Sequence, residues 1–228
     1  MRRALAALCA LALVLAVGAA CSGHPPKPAK NLPDGAGLVS SAAREMGGVK
    51  TARFVITTEG TVDRLGLTGA DAVVTRDGDA KGTATLDQAG AASELTFVVV
   101  GDTLHIKGPT GGWQQVPLSM AASVYDPSAI LDPDRGVAKV LATASDASTQ
   151  GTETVDGAAA IKVRATLDSK ALAAVVPGID QNVVGTLWIG ADRPLLHRAS
   201  FTVPGDGGGG TVTVTLSEFD APVTISAP

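Results

Sequence analysis

Beyond its first thirty residues the chain alternates apolar and polar positions in short runs, and that two-residue period predicts strands. Residues 52–59 set Phe54 and Ile56 on one face, with Arg53, Thr57 and Glu59 toward the other. Residues 67–76 make a second strand, closed by the hairpin-forming pair Asp77-Gly78. Residues 82–87 turn Gly82, Ala84 and Leu86 one way and Thr83, Thr85 and Asp87 the other, so the inward side is unusually small there. Residues 93–100 bring Leu95, Phe97 and Val99 inward, residues 103–107 return with Leu104 and Ile106, and residues 113–116 close this first meander. In the second half, residues 151–155 and 158–167 predict a hairpin about Asp156-Gly157. Strands over 183–189, 195–203 and 211–219 follow, the last two joined by the glycine run 205–210, which reads as a flexible hairpin loop. Connections this short imply antiparallel pairing.

Three segments break the rhythm. Residues 34–48 carry Leu38, Val39, Ala42, Ala43 and Met46 at helical spacing before a Gly47-Gly48 stop. Residues 119–145 hold two Asp-Pro steps, Asp126-Pro127 and Asp132-Pro133, each predicting an Asp N-cap with Pro in the first helical turn. After the second step Val137, Val140, Leu141 and Ala144 form one apolar stripe. Residues 168–176 predict a short helix capped by Asp168, with Leu172 and Val176 inward and Pro177-Gly178 as its stop. The sum is an α+β fold, a long and strongly curved antiparallel sheet with helices collected on one face.

Composition narrows what such a sheet can do. With 228 residues and 45% hydrophobic content the chain can bury a substantial core, but aromatics are only 3%, so Val, Leu, Ile and Ala must line it. A sheet so lined either closes into a packed core or leaves a cavity for a long apolar ligand, and the same residue types serve both. The net charge of −4, with no basic cluster past the extreme N-terminus, argues against nucleic acid. The three histidines, His24, His105 and His197, fall in a linker and on the polar phases of two strands, where solvated side chains are expected. Arg76-Asp77-Gly78-Asp79 lacks the remaining spacing of a calcium loop and reads as a turn. No helix follows the glycine run, so it is not a phosphate-binding loop. Nucleophile-elbow, zincin and paired-cysteine motifs are missing from the sequence, so no catalytic residue, metal site or cofactor is predicted.

The first twenty residues carry the most specific local signal: Arg2-Arg3, an apolar run over 4–17, then Gly18-Ala19-Ala20 before Cys21. This predicts a secretory signal peptide over 1–20. A cysteine at the cleavage point resembles the bacterial lipoprotein signal, in which that thiol is lipidated and becomes the new N-terminus, although Gly18 stands where most such signals carry an aliphatic residue. The expected location is the extracytoplasmic face of the cell membrane, with Cys21 as anchor. Cys9 leaves with the signal, so the mature chain has no partner for an internal disulfide. Residues 21–33, rich in Pro and Lys, read as an extended tether, and residues 34–228 as the domain.

The central run from Tyr125 to Ala142, YDPSAILDPDRGVAKVLA, resembles the Tyr-Asp-Pro, Asn/Asp-Pro, Gly-Leu-Ala-Asn-Leu-Leu-Ala segment of the mycobacterial LprG/LppX lipoprotein family. Supporting matches are Leu32-Pro33-Asp34, Phe97-Val98-Val99, Leu187-Trp188-Ile189 and the run Val214 to Ser217; Arg135 and Lys139 depart from the pattern. The resemblance spans essentially the whole mature chain. It implies a half-barrel sheet with helices on its concave face, enclosing a hydrophobic cavity for di- or triacylated lipids or glycolipids. It further implies a non-enzymatic role in moving such lipids across the envelope, in some members beside a major-facilitator efflux pump. The expected lining is Phe54, Ile56, Ala84, Leu86, Leu95, Phe97, Val99, Leu104, Ile106, Ile130, Leu131, Val137, Val140 and Leu141, with the Tyr125 hydroxyl at the cavity mouth. The rival expectation is a surface adaptor whose sheet is fully packed and which acts through protein contacts.

Overall fold

The computed structural model describes residues 32–228 apart from 61, 63–66, 89–90, 122–126, 177 and 205–208. The signal peptide, Cys21, His24 and most of the tether lie outside the described residues, as do Tyr125, Asp126, Pro177 and the centre of the glycine run. The strands are β1 (Thr51–Gly60), β2 (Leu67–Thr75), β3 (Ala80–Gln88), β4 (Ala91–Val100), β5 (Thr103–Lys107), β6 (Gln114–Pro117), β7 (Ser145–Val155), β8 (Ala158–Leu167), β9 (Val183–Gly190), β10 (Leu196–Val203) and β11 (Gly210–Ser217). They form one sheet in the order β6-β5-β4-β3-β2-β1-β11-β10-β9-β8-β7. Each half is thus a meander of consecutive hairpins, and the halves join where β1 pairs with β11. All ten ladders are antiparallel, and the sheet curls into an open half-barrel of the α+β class.

Both edges resist further pairing. β6 has four residues and ends in Pro117, which has no N–H to donate, and β7 loses register twice along its length.

Helices cover the apolar face. α1 (Gly35–Met46) begins at Asp34, whose carboxylate accepts the Gly37 N–H at 2.8 Å, and it buries Val39, Ala42 and Met46. The Arg76 guanidinium in the β2–β3 turn donates to the carbonyls of Gly47 and Val49 just past its end. α2 (Leu118–Ala121) lies against β5 and β6, and the 3₁₀ turn Pro127–Ala129 lies against β2. α3 (Val137–Thr143) packs between α1 and α4 (Ser169–Ala173), and α4 is capped by Asp168 through the Ala171 N–H at 3.0 Å. On the opposite, outer face, residues 220–228 run across the sheet. There the Asp220 carboxylate accepts the Lys50 N–H at 2.8 Å, the Ala221 carbonyl the Thr51 hydroxyl at 2.7 Å, and the Thr224 carbonyl the Lys81 ammonium at 3.0 Å.

Several expectations are corrected. Asp132-Pro133 does not start a helix, because the Asp132 carboxylate is used in a turn, accepting from the Asp134 N–H at 2.8 Å and the Arg135 guanidinium at 2.8 Å. The helix starts after Gly136 instead, and the first Asp-Pro step leads only to the 3₁₀ turn. Ala144 is the C-cap of α3, in extended conformation, and β7 begins at once at Ser145 rather than at Gly151. α4 is shorter than residues 168–176. Trp113 precedes β6 rather than belonging to it. His105 is buried at 6% exposure, between Val98 and Gln115 of the neighbouring strands, and His197 is half-buried with its ring edge-on to Phe219 at 5.5 Å. Desolvation lowers the His197 pKa below its ordinary value.

Gly136 is required by close approach: a Cβ there would overlap the backbone carbonyl oxygens of Ile130, Ala129 and Asp132. Gly136→Ala is expected to destabilise the fold by about 1–3 kcal/mol, as overpacking does. Gly112→Ala, where a Cβ meets nothing within 4 Å, should stay within ~0.5 kcal/mol. Equal urea midpoints for the two variants would refute this account of the α3 start.

Candidate functional site

Antiparallel partners share a face, so the register fixes which side chains line the inside of the half-barrel. Phe54 stands beside Leu216 on one side and Ala72 on the other, and the row continues through Gly82 and Phe97 to Ile106. Ile56 stands beside Val214 and Ala70, and its row continues through Ala84 to Leu95. A third row runs Ala52, Val74, Ala80, Val99 and Leu104. The middle of this surface, on β2 and β3, is built from Ala70, Ala72, Ala80, Gly82 and Ala84, while β1 and β4 on either side carry Phe54, Ile56, Leu95 and Phe97. Two strands of small residues between two of large ones make a trough with an apolar floor and walls. At Gly82 the floor cannot be raised: a Cβ would overlap Ala72 and the Asp71 carbonyl on β2.

Burial is graded across the trough. Ala52, Phe54, Ile56, Val74, Ala80 and Val99 are at most 2% exposed, sealed in part by Ile130 and Leu131 after the 3₁₀ turn. Ala84, Leu86, Leu95, Leu104 and Ile106 are only half-buried. Among the described residues the less buried side lies along β3 to β5, at Ala84, Leu86 and Leu95 toward the β3–β4 connection and at Leu104 and Ile106 on β5. None of the described residues in these rows is ionisable, so these rows offer apolar contact and exclusion of water. Among the described residues there is no group of three or more His, Cys, Asp or Glu arranged to hold a metal ion.

The other half of the inner face is packed. α3 and α4 lie over β8 to β11, and the space between them is a void of about 30 Å³, bounded by Val137, Val140 and Leu141 on one side and Leu187, Phe201 and Leu216 on the other. That is room for roughly one water, and the lining is apolar throughout.

The residues expected to line a cavity are thus placed in three groups. Phe54, Ile56, Phe97, Val99, Ile130, Leu131, Val137, Val140 and Leu141 belong to one continuous buried core. Ala84, Leu95 and Leu104 pack against that core from the trough, and Leu86 and Ile106 sit on the same face outside it. Tyr125 and Cys21 lie outside the described residues. Leu172, read from the sequence as inward, lines the void of about 30 Å³, while Val175, Leu187, Leu196, Phe201 and Val214 were not expected in a lining. The signal available for them was the alternation in β9 to β11, strict in β11 and interrupted in β10 by the shift between Leu196 and Arg198.

The comparisons with known proteins agree with this architecture. Residues 34–225 match the model of the LppX_LprAFG lipoprotein family. The lipoarabinomannan carrier protein LprG of Mycolicibacterium smegmatis is 34% identical over 232 residues, 96% of this chain and 93% of its own length. LprG of Mycobacterium tuberculosis is 29% identical over 229 residues, 99% of this chain and 95% of its own. Among solved structures, LprF from Mycobacterium bovis superposes with a TM-score of 0.76 at 27% identity, covering 85% of this chain and 96% of LprF. The lipoprotein LppX of Mycobacterium tuberculosis gives 0.62 at 26%, covering 84% and 97%.

Truncations should distinguish core from trough. Leu141→Ala, in the core at 1% exposure, is expected to destabilise by about 2–5 kcal/mol. Leu95→Ala, half-buried on the trough wall, should lose less than half as much. Chemical denaturation of the two variants checks the order, and a reversal would mean that the trough is a packed interior.

Proposed function

The chain belongs to the LppX_LprAFG lipoprotein family, and on that premise we propose that it is a cell-envelope lipoprotein that carries acylated lipids or glycolipids in the trough of its inner face. The observation that supports this reading is the graded exposure of one continuous apolar face, buried at Phe54 and Val99 and half-open at Ala84, Leu86, Leu95 and Ile106. A 16-carbon acyl chain in water is unfavourable by about 10 kcal/mol or more, at roughly 0.8 kcal/mol per CH₂. A carrier that takes it from the membrane must offer an equivalent apolar surface. The small residues Ala70, Gly82 and Ala84 support this reading, because they take up little of the volume between Phe54, Ile56, Leu95 and Phe97 in which methylene chains would lie. No bond or proton has to move, so the role is binding and transfer rather than catalysis.

The two LprG relatives are named as lipoarabinomannan carriers, which favours a cargo with more than one acyl chain and a sugar head group. Cys21, carrying a diacylglyceryl group in thioether linkage at its sulfur, anchors the chain on the extracytoplasmic face of the membrane, and residues 21–33 tether the domain to it. Several acyl chains give lasting attachment where one is marginal. A major-facilitator efflux pump in the same membrane is the partner class that would deliver or receive the cargo.

Native mass spectrometry of the chain extracted from its own host tests the cargo. Wild-type protein is expected to carry lipid mass. Ala84→Trp, which fills the trough floor, should arrive bare with an unchanged circular dichroism spectrum. Lipid retained by Ala84→Trp would sink the trough assignment, and a bare wild-type chain would favour an adaptor acting through protein contacts. Separately, Cys21→Ser is expected to lose incorporation of labelled palmitate and to move from the membrane to the aqueous fraction; label retained on the variant would place the lipid elsewhere.

A further inference from the structure

The outer face of β1 to β4 carries a second concavity, a groove of about 490 Å³ running from Glu218 to Trp113. It is backed by the same strands as the trough but opens the opposite way. Its floor includes Val73 and Val98, which lie in one row with Arg53 and Lys81, while Asp71, Thr83 and Thr96 form the next row. We propose that this groove is a binding site for a neutral oligosaccharide.

Three features carry the assignment. First, Trp113 stands at the rim 39% exposed. The other tryptophan, Trp188, is 9% exposed with its indole N–H donated to Glu153 at 2.9 Å. An exposed indole beside a concavity offers the flat apolar surface on which the C–H face of a sugar ring stacks. Second, the groove contains planar hydrogen-bonding groups already held in place. Arg53 donates to both oxygens of Asp71, at 2.9 and 2.6 Å, and reaches Glu218 at 3.3 Å. The Arg53 hydrogen bonds hold the Asp71 carboxyl below its ordinary pKa. Both side chains remain more than 40% exposed, so their outer edges are open to a ligand. Fixed donors and acceptors in this geometry, with the hydroxyls of Thr83 and Thr96 nearby, match vicinal sugar hydroxyls, which both donate and accept. Third, the charges cancel: Arg53 and Lys81 face Asp71 and Glu218, so the groove has no net charge to select a phosphate or a cation.

The glycan could be that of a carried glycolipid or a free envelope polysaccharide, and the shared chemistry is an uncharged sugar chain. The test uses the chain purified from its host membrane and mannotriose as probe, read by saturation-transfer NMR on the sugar. Wild-type protein is expected to bind, Trp113→Ala to bind at least tenfold more weakly, and Trp113→Phe to recover most of the affinity. Asp71→Asn, which breaks the pair with Arg53, should also weaken binding. Mannose-6-phosphate should bind no better than mannose. Binding that survives Trp113→Ala and Asp71→Asn, or a preference for the phosphorylated sugar, overturns the proposal. The lipid-free Ala84→Trp variant should bind mannotriose like wild type, so a failure of the lipid-carrier reading leaves this result unaffected. Lipid-loaded wild type that binds as well as delipidated protein points to a free polysaccharide. Binding that appears only after delipidation points to the head group of the cargo.

Discussion

A sheet of eleven strands about 4.8 Å apart is roughly 50 Å wide before it curls, and the inner face of β1 to β5 and β8 to β11 is largely apolar. Among the described residues the longest helix to cover that face, α1, has 12 residues and spans about 18 Å, and the other described helices have seven residues or fewer. Cover and surface do not match, and the rest of the structure follows from that shortage. α1, α3 and α4 are concentrated on the β7 to β11 half, where the described residues enclose a void of about 30 Å³. Among the described residues, the β2 to β5 half is met by the 3₁₀ turn, by α2 and by Ile130 and Leu131. Its apolar surface is therefore less completely buried than that of its neighbour within the same sheet.

Two placements of small residues make this arrangement tolerable. Gly136 lets the chain turn into α3 while lying against the carbonyls of Ile130 and Ala129, which brings Ile130 and Leu131 down over the sealed end of the trough. Gly82, between Ala72 and Phe97, lets β2 and β3 bend without a side chain caught in the bend. Both glycines have negative or unremarkable φ, so what they supply is clearance rather than conformational freedom. Neither position would accept even a methyl group without backbone movement.

The strands were legible in the sequence because a period of two is a direct image of one wet and one dry face. The register among residues 52–107 follows from that alternation and from turns too short to permit any order but antiparallel. Periodicity assigns a face, however, and does not say what lies on it. His105 falls on the polar phase and is nevertheless buried, and the outer face also carries residues 220–228, whose own alternation of half-buried Ala221, Val223 and Ile225 with exposed neighbours went unread. Asp132 misled for a related reason, since an Asp before Pro can cap a helix or close a turn, and the choice was made by the approach of Gly136 to Ile130, a tertiary fact. The small inward side of residues 82–87 was readable, and it marks the trough floor. Which apolar residues form wall and which form core was not, because burial separates Leu95 from Leu141 and hydrophobicity does not.

A sheet is one residue thick, so successive residues of a strand serve opposite faces. Asp71 and Ala72 on β2, Lys81 and Gly82 on β3, and Phe97 and Val98 on β4 each divide between the inner trough and the outer groove. A strand cannot change its twist on one face alone. The Arg53–Asp71 pair and the Lys81–Thr224 contact are ties across that outer surface, the first between β1 and β2 and the second between β3 and the C-terminal segment. They lie over the thin part of the sheet, where Ala72 and Gly82 provide little side-chain packing to resist bending, and so help to fix the curvature on which the depth of the trough depends.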